Sequence, residues 1–489
     1  MALSIPQHRR EQLFIGGTWR DPQSDRRINV VNPASGEGIA SIPEAGSEDA
    51  ALAVTLAKDS FETGPWAQMT LAERGKILRR AIELIDKHRD ELIETVVTDL
   101  GAPRAYAAFV HDIGVEIWTE YADLADTLSV ESVGQGADGR RVLVRKEPVG
   151  VVLAVVPWNG PFILTSLKLV PALLAGCSVI VKPAPETPFA SLILADILKE
   201  VGVPDGVISF LPGGRDLGEH LLNDPRVDMV SFTGGTESGK SVMAAAAKNL
   251  TRVTLELGGK SAAIVLDDID PVDALPALAA GMLSQSGQVC TTLSRIITSH
   301  ARHDEWRDAL AEMFESQVIG DPDNVETTFG PLASRLQKER VLTHIERAKQ
   351  EGGIIVTGGT VPEGLEDGYF VEPTLVDGVT PSMSLAQQEV FGPVYALMTY
   401  EDVDDAIRIA NDSDFGLSGA VMTNDINAGV EIGKRIRTGT FSVNGFGGHM
   451  SFPFGGYKQS GMGREGGVAG LEEFFETKQI AVPAGSHVF

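Results

Sequence analysis

The sequence predicts an α/β chain with a doubly wound sheet domain, a second α/β domain after it, and a small β arm. Three observations lead there. From Val149 onward, apolar β-branched runs alternate with glycine-bearing turns and helical stretches, the repeat of a parallel sheet wound on both faces. From Leu255 the alternation begins again. Before both lies VESVGQGADGRRVLVRKEPVG, starting at Val130, in which polar strands flank a Gly-rich turn with little apolar surface for a core of its own. Such a hairpin packs on a neighbouring subunit or projects into solvent, so it is a candidate oligomer arm.

In chain order, Phe14 to Pro33 reads as short strands, with a Gly-Gly hairpin signal in FIGGTWRDP and a further turn in NVVNPASGE. SEDAALAVTLAKDSFET from Ser47 begins with acidic first-turn residues, and its apolar positions recur three and four apart, which predicts a helix. A second helix is expected over Thr70 to Lys87 and a third over Asp90 to Leu100, closed by Gly101. Val151 to Val156 is a continuous apolar run, the mark of a strand buried on both faces. A turn at Pro157 to Gly160 and a helix ending near Gly176 follow it. The cycle continues through strands at Ser178 to Val181, Val207 to Leu211 and VDMVSF, with helices in GGRDLGEHLL and TGGTESGKSVMAAAAK. LELGGKSAAIVLDDID reads as one new strand opening the second α/β region. That region runs through helices at His303 to Glu315 and Ser334 to Glu351, and the tail from Thr477 to Phe489 reads as a terminal strand and a loose end. In a doubly wound sheet, ligands belong at the carboxyl ends of the strands.

A length of 489 residues is too much for one core, so two or three domains are expected. With 67 acidic against 41 basic side chains, the net charge of −26 argues against nucleic acid and anionic membranes as partners. No stretch approaches the roughly 20 apolar residues of a membrane helix, and the N-terminus lacks a signal-peptide core. Two cysteines at unrelated positions give no disulfide framework and point to the reducing cytoplasm. No metal-ligand spacing stands out.

Cys290 sits in SQSGQVCTTLSR, a small and polar setting that leaves a sulfur reachable, whereas Cys177 in LLAGCSVIV reads as core. Taken alone, Cys290 is most simply a structural thiol. Glu256 lies between Leu255 and Leu257, and a carboxylate in an apolar strand is costly to ionise unless it has a partner or a task. Burial would raise its pKa toward that of a general base, although a structural ion pair is the plainer reading. Lys168 and Glu389 share that ambiguity. Asn159 ends a strand and offers a neutral N–H donor for an oxyanion, or an ordinary Asx turn. Lys182 directly follows a strand, where it can meet a ribose or phosphate oxygen. The turn from Thr233 to Lys240 precedes a helix: Gly234 allows the tight turn, Gly239 a close helix approach, and the first-turn N–H groups can face a phosphate. The spacing is neither the dinucleotide fingerprint nor a Walker loop. Together these residues offer a nucleophile, a base, an oxyanion donor and a phosphate turn, all at strand ends.

Eight segments then resemble the NAD(P)-dependent aldehyde dehydrogenases, in the family's order and over nearly the whole length. They are PWNGP, KLVPALLAG, KPAPETP, FTGGTESG, LELGGKS, SGQVC, EVFGPV and PFGGYKQSGMGREGG. The resemblance implies Cys290 as the nucleophile, an oxyanion site from Asn159 and the Cys290 N–H, Glu256 as the base for water, and Lys168 coupled to Glu256 in a proton path. It implies NAD held by Val156, Pro157, Trp158, Lys182, Pro185, Glu186, Gly214, Gly218, Phe232, Thr233, Gly234, Gly235, Thr236, Gly239, Leu257, Gly258, Glu389 and Phe391. It further implies a dinucleotide-binding domain over 1–129 and 148–257, a catalytic domain over 258–458, and an arm and tail over 130–147 and 459–489 that join a homodimer or homotetramer.

Three positions depart from the family pattern. Pro185 stands where many NAD-preferring members carry a glutamate, with an acid one residue later at Glu186, so charge does not bar NADP. Gly160 and Ser284 replace rings common along the access tunnel, and their loss should widen it. The expected tunnel residues, Gly160, Phe162, Leu164, Ser284, Val289, Thr291 and Phe446, include no Lys or Arg to pair a second carboxylate. The expected substrate is therefore a bulky or long apolar aldehyde. The rival classes are a cofactor-independent thiol esterase and a non-catalytic binding protein on the same scaffold. A CoA-acylating variant is disfavoured because Glu256 is kept for water.

Overall fold

The computed structural model describes residues 4–486, and the last three residues of the predicted tail lie outside them. An eight-stranded sheet runs in the order Thr18–Arg20, Leu13–Ile15, Ile208–Phe210, Ser178–Lys182, Val151–Val155, Met229–Thr233, Arg252–Glu256 and Gly461–Met462. Its five central strands are parallel, and the Leu13–Ile15 and Gly461–Met462 edges pair antiparallel. The chain leaves Val151–Val155 toward one edge and later returns to its other side at Met229–Thr233. That reversal is the switch point where a crevice opens beyond the strand ends.

A seven-stranded sheet follows in the order Ile354–Thr357, Thr374–Asp377, Val394–Tyr400, Leu293–Ser299, Ser261–Val265, Gly419–Met422 and Ser442–Val443. LELGGKSAAIVLDDID is thus not one strand. Its first part ends Arg252–Glu256 in the first sheet, and Ser261–Val265 begins the second, with Leu257 to Lys260 crossing between them. The two glycines of the crossover explain the break: a Cβ on Gly259 would stand 2.4 Å from the Cys290 carbonyl oxygen.

Local signals account for the helices. Thr70 caps Leu71–Lys87, accepting from the Glu73 N–H while the Glu73 carboxylate accepts from the Thr70 N–H at 2.7 Å. Pro161–Ala175 is apolar nearly all round and buried along its length, as a helix wedged between a sheet and other helices must be. Gly101 closes the third helix at φ +76°, as predicted, after a widened last turn over Val96–Leu100. The 24-residue helix Arg104–Thr127 is absent from the sequence reading. Pro103 at its start makes no side-chain cap, and its alanines blur the periodic face, so no start signal marks it.

The arm is a three-stranded sheet in which Arg141–Pro148 lies between Glu131–Gln135 and Phe475–Val482. Of the 459–489 stretch, Gly461–Met462 extends the first sheet and Gly467–Glu472 packs on Pro161–Ala175; from Phe475 the chain joins the arm.

Candidate active site

Both sheets deliver side chains to one cleft. From the first sheet come Asn159, in the turn between Val151–Val155 and Pro161–Ala175; Lys182, the last residue of its strand rather than the one after it; and Thr233 to Gly235, with Glu256 buried opposite Thr233 in the sheet and itself lining no cavity. From the second come Cys290, on the loop between Pro271–Leu283 and Leu293–Ser299, and Glu389 and Phe391, just ahead of Val394–Tyr400. Two adjoining cavities fill the cleft and share Pro157, Thr233, Gly234 and Gly235.

The larger, of about 570 Å³, is lined by Val156, Lys182, Pro185, Glu186, Gly214, Gly218 and Phe232. Lys182 Nζ donates to the Gly213 carbonyl at 2.7 Å and the Pro183 carbonyl at 3.1 Å. Burial brings its pKa down to about 8 against the pull of Glu186 and Glu44. Burial raises the Glu186 carboxyl above its ordinary value. The helix Thr236–Ala246 points its N-terminus here from Gly235, and no side chain caps it, so its first amides are left for another acceptor. Thr236 and Gly239 do not line either cavity. Thr236 Oγ1 reaches the Gln459 carbonyl at 3.5 Å, and a Cβ on Gly239 would meet Leu257 Cδ2 at 2.4 Å, so Gly239 serves helix packing.

The smaller cavity, of about 280 Å³, is lined by Trp158, Asn159, Leu164, Leu257, Gly258, Cys290, Glu389 and Phe391, with Gln337, Arg340 and His344 on one wall. Trp158 and Phe391 meet edge to face at 5.3 Å across the cleft. Phe391 takes a left-handed φ of +55°, held by Gln337 Nε2 donating to the Val390 and Phe391 carbonyls at 3.1 and 2.7 Å. Glu389 Oε1 accepts from the Gly259 N–H at 2.8 Å, and burial raises its pKa to about 7. A Cβ on Gly258 would fall 2.1 Å from Glu389 Oε2, so only glycine admits this carboxylate.

The Cys290 loop is held stiffly. Gln285 and Ser286 adopt left-handed φ values of +50° and +54°. Ser286 Oγ donates to the Gly330 carbonyl, and the fully buried Gln288 amide bonds the Gln285 and Pro331 carbonyls and the Ala333 N–H. Asn159 Nδ2 donates to the Gln288 carbonyl at 3.0 Å, which sets the side-chain amide beside the cysteine and leaves its second N–H free for another acceptor. Cys290 keeps part of its surface open to the cavity. Burial pushes its thiol up, and the carboxyls of Glu256 and Glu389 push the same way, so the cysteine rests as a thiol that needs a base.

Glu256 is that neighbour. It is buried, neither carboxyl oxygen has a hydrogen-bond partner, and burial reinforced by Glu465 raises its pKa well above the usual range. Lys168 and Arg464 oppose that rise. Lys168 does not bond Glu256 directly: its Nζ, fully buried, donates to Glu465 at 2.5 Å and to Ser231 Oγ at 3.2 Å. Lys168 therefore acts on Glu256 through its charge, paired with Glu465, and not through a hydrogen bond. Glu465 escaped the sequence reading although it lies inside the quoted PFGGYKQSGMGREGG, because nothing local ties it to a residue 297 positions earlier. Gln288 and Gln337 carry no local signal of their roles either, since their bonds to Pro331, Ala333, Val390 and Phe391 are distant in sequence.

The expected tunnel residues divide. Leu164 lines the cysteine cavity. Phe162 is 3% exposed and stacks on His111 at 5.2 Å, and with Gly160 and Asn159 it lines a narrow cavity of about 10 Å³. A Cβ on Gly160 would stand 2.9 Å from Ile163 Cγ2 and 3.2 Å from Leu164 Cγ, so neighbours already fill the space a ring would take. Ser284 Oγ donates to the Ala280 carbonyl at 2.7 Å. Thr291 is buried, Val289 and Phe446 are half-buried, and none of the three lines the two cavities. Among the described residues no group of three or more His, Cys, Asp or Glu could hold a metal ion, and no helix is long and apolar enough to cross a membrane.

A sequence profile of the Aldehyde dehydrogenase family matches residues 19–480. The chain is 38% identical over 475 residues to the geranial dehydrogenase of Castellaniella defragrans, covering 96% of this chain and 98% of that protein. A crystal structure of a Mycobacterium tuberculosis aldehyde dehydrogenase complexed with NAD+ superposes with a TM-score of 0.96 at 39% identity, covering 98% and 99% of the two chains. A betaine aldehyde dehydrogenase from Staphylococcus aureus in complex with NAD+ gives a TM-score of 0.96 at 34% identity, covering 100% and 99%.

Proposed function

The chain belongs to the aldehyde dehydrogenase family and is an NAD-dependent enzyme that oxidises aldehydes; from that premise we propose the roles of its residues and its class of aldehyde. The observation that bears most weight is the convergence of Cys290, Asn159 and Glu256: Cys290 and Asn159 line the smaller cavity and the buried Glu256 carboxyl acts on the Cys290 thiol, although they come from two loops and a strand of two sheets.

Cys290 gives its proton to Glu256, and the thiolate adds to the aldehyde carbon, forming a thiohemiacetal. The second Asn159 N–H and the Cys290 backbone N–H meet the oxyanion. NAD, when bound, accepts the hydride that leaves this carbon, which becomes a thioester. Glu256 then takes a proton from water as the water attacks, and the Cys290 sulfur leaves, releasing the acid. The Lys168–Glu465 pair acts on the Glu256 proton through charge, Lys168 lowering the Glu256 pKa and Glu465 raising it. The larger cavity suits the adenosine and diphosphate: it combines the uncapped helix start at Gly235, a buried cation at Lys182, and a volume of about 570 Å³. Glu389, beside Phe391, suits the nicotinamide ribose.

The aldehyde is bulky or long and apolar. This reading is supported by Leu164, Trp158 and Phe391 in the cysteine cavity, whose basic side chains, Arg340 and His344, stand on one wall with Gln337, and by likeness to a relative named for geranial. The arm joins subunits into a homodimer or homotetramer. The test is reduced-nicotinamide formation with NAD and with NADP across aldehydes, repeated on Cys290→Ala. We expect activity lost in the variant and kcat/KM higher for an aromatic or terpenoid aldehyde than for succinic semialdehyde. A strong preference for the semialdehyde would sink the substrate class. Ester turnover without nucleotide, and none with it, would favour the hydrolase.

A further inference from the structure

Lys260 is 2% exposed, and its Nζ makes no hydrogen bond or ion pair. A buried ammonium without a partner is among the costliest groups a fold can hold, so its position calls for an account. It ends the Leu257 to Lys260 crossover, directly after Gly259, whose N–H holds Glu389 Oε1. The charged groups near enough to act on it come from three elements. Arg295 on Leu293–Ser299 makes four hydrogen bonds from its guanidinium, to the carbonyls of Lys260, Ile409, Asp412 and Ala410. Glu389 precedes Val394–Tyr400, and His344 on Arg335–Gln350 lines the cysteine cavity, with Arg347 one turn further on. Of these, Glu389 alone is an anion.

We propose that Lys260 is a positioning residue for the cofactor site: it is the counter-ion that keeps Glu389 a carboxylate, and so sets the pH at which Glu389 can accept the ribose hydroxyls. This rests on the reading of Glu389 as the ribose-binding residue. A carboxylate accepts two hydroxyl hydrogen bonds, whereas a protonated carboxyl must donate one and accepts less well. Burial brings Lys260 down to about 7, with Arg295 adding to the shift and Glu389 opposing it. Burial raises Glu389 to about 7, with the Gly259 N–H and Lys260 opposing. Two facing groups that titrate together behave as one pair. Without the ammonium, Glu389 ionises only at higher pH. Cys290 feels the Glu389 carboxyl as well, so the same pair biases the thiol.

The test is NADH binding by fluorescence titration across pH on the full-length chain, for wild type, Lys260→Met, Lys260→Arg and Glu389→Gln. We expect wild-type binding to tighten as pH rises through neutrality. Lys260→Met should move that midpoint upward by about one unit, weakening binding about fivefold at pH 7 and about tenfold at lower pH. Lys260→Arg, whose charge cannot be lost, should move it downward, and this variant keeps the test open if the methionine variant does not fold. Glu389→Gln should bind weakly with little pH dependence. If Glu389→Gln weakens binding while both Lys260 variants keep the wild-type midpoint, the coupling is overturned and the ribose reading stands. If Glu389→Gln binds as wild type does, both fall.

Discussion

At the scale of single residues, the site is built from groups that burial shifts from their ordinary pKa values. Glu256 has no hydrogen-bond partner, and burial with Glu465 nearby raises its pKa well above the usual range. Its basic form therefore grows as pH rises, and turnover should climb along a limb lying above the ordinary carboxylate range. In Glu256→Gln that limb should vanish and kcat fall about 10²–10³-fold. The burst of reduced nicotinamide should slow as well, because Cys290 loses the base that takes its proton; a burst at the wild-type rate with turnover lost would confine Glu256 to the water step. Linkage gives a second readout. A carboxyl whose folded pKa is raised contributes stability that is fully present below its unfolded pKa and is lost as pH rises through the folded value. Glu256→Gln should therefore gain Tm relative to wild type with increasing pH, and an unchanged difference across neutral and alkaline pH would contradict the burial account.

At the scale of elements, the Cys290 loop is the part with the most internal constraint. Gln288 ties it to Gln285, Pro331 and Ala333 while its own carbonyl receives Asn159. Gln288→Ala would leave buried carbonyls and an N–H unmatched, at a cost of about 2–4 kcal/mol. It would also let the nucleophile drift from the oxyanion donor, which should slow the burst about 10²-fold. Urea denaturation and single-turnover kinetics check the two effects separately, and a wild-type burst rate would show that the loop holds its shape without Gln288. This element also marks what was legible in the sequence. Runs such as Val151–Val155, the Thr70 cap and the Gly101 stop are written in local pattern, so those elements could be read directly. Cys290, Glu256 and Asn159 stood out because their residue types were odd for their surroundings. Glu465, Gln288 and Lys260 did not, since each matters through a partner 129 or more positions away that folding brings near, as Lys168 is for Glu465 and Asn159 for Gln288. Helix Arg104–Thr127 was lost for a different reason: an uncapped, alanine-diluted helix has no local start signal.

At the scale of the whole molecule, the arm stands apart from the cleft. Phe475–Val482 pairs residue for residue with Arg141–Pro148, from Phe475 opposite Pro148 to Val482 opposite Arg141, and the outer strand Glu131–Gln135 is exposed along its length. Three thin strands with so little buried surface are marginal in isolation, and an uncovered edge invites pairing with another chain. The proposed assembly gives that surface a use. The place to cut is set by contacts: Phe475 is buried in the main core, the Arg252 guanidinium bonds the Phe475 carbonyl, and Arg252 pairs with Glu476 at 2.7 Å. Ending the chain after Glu476 therefore spares the core and the strand leading to Glu256, while removing most of the partner of Arg141–Pro148. None of the residues lining the two cavities lies beyond that point. Light scattering should show the truncated chain at a lower mass than the full one, with NADH binding per chain retained within about twofold, a loss of about 0.4 kcal/mol at most. An unchanged mass would mean that another surface joins the subunits, and lost NADH binding at unchanged mass would mean that the tail supports the cleft itself.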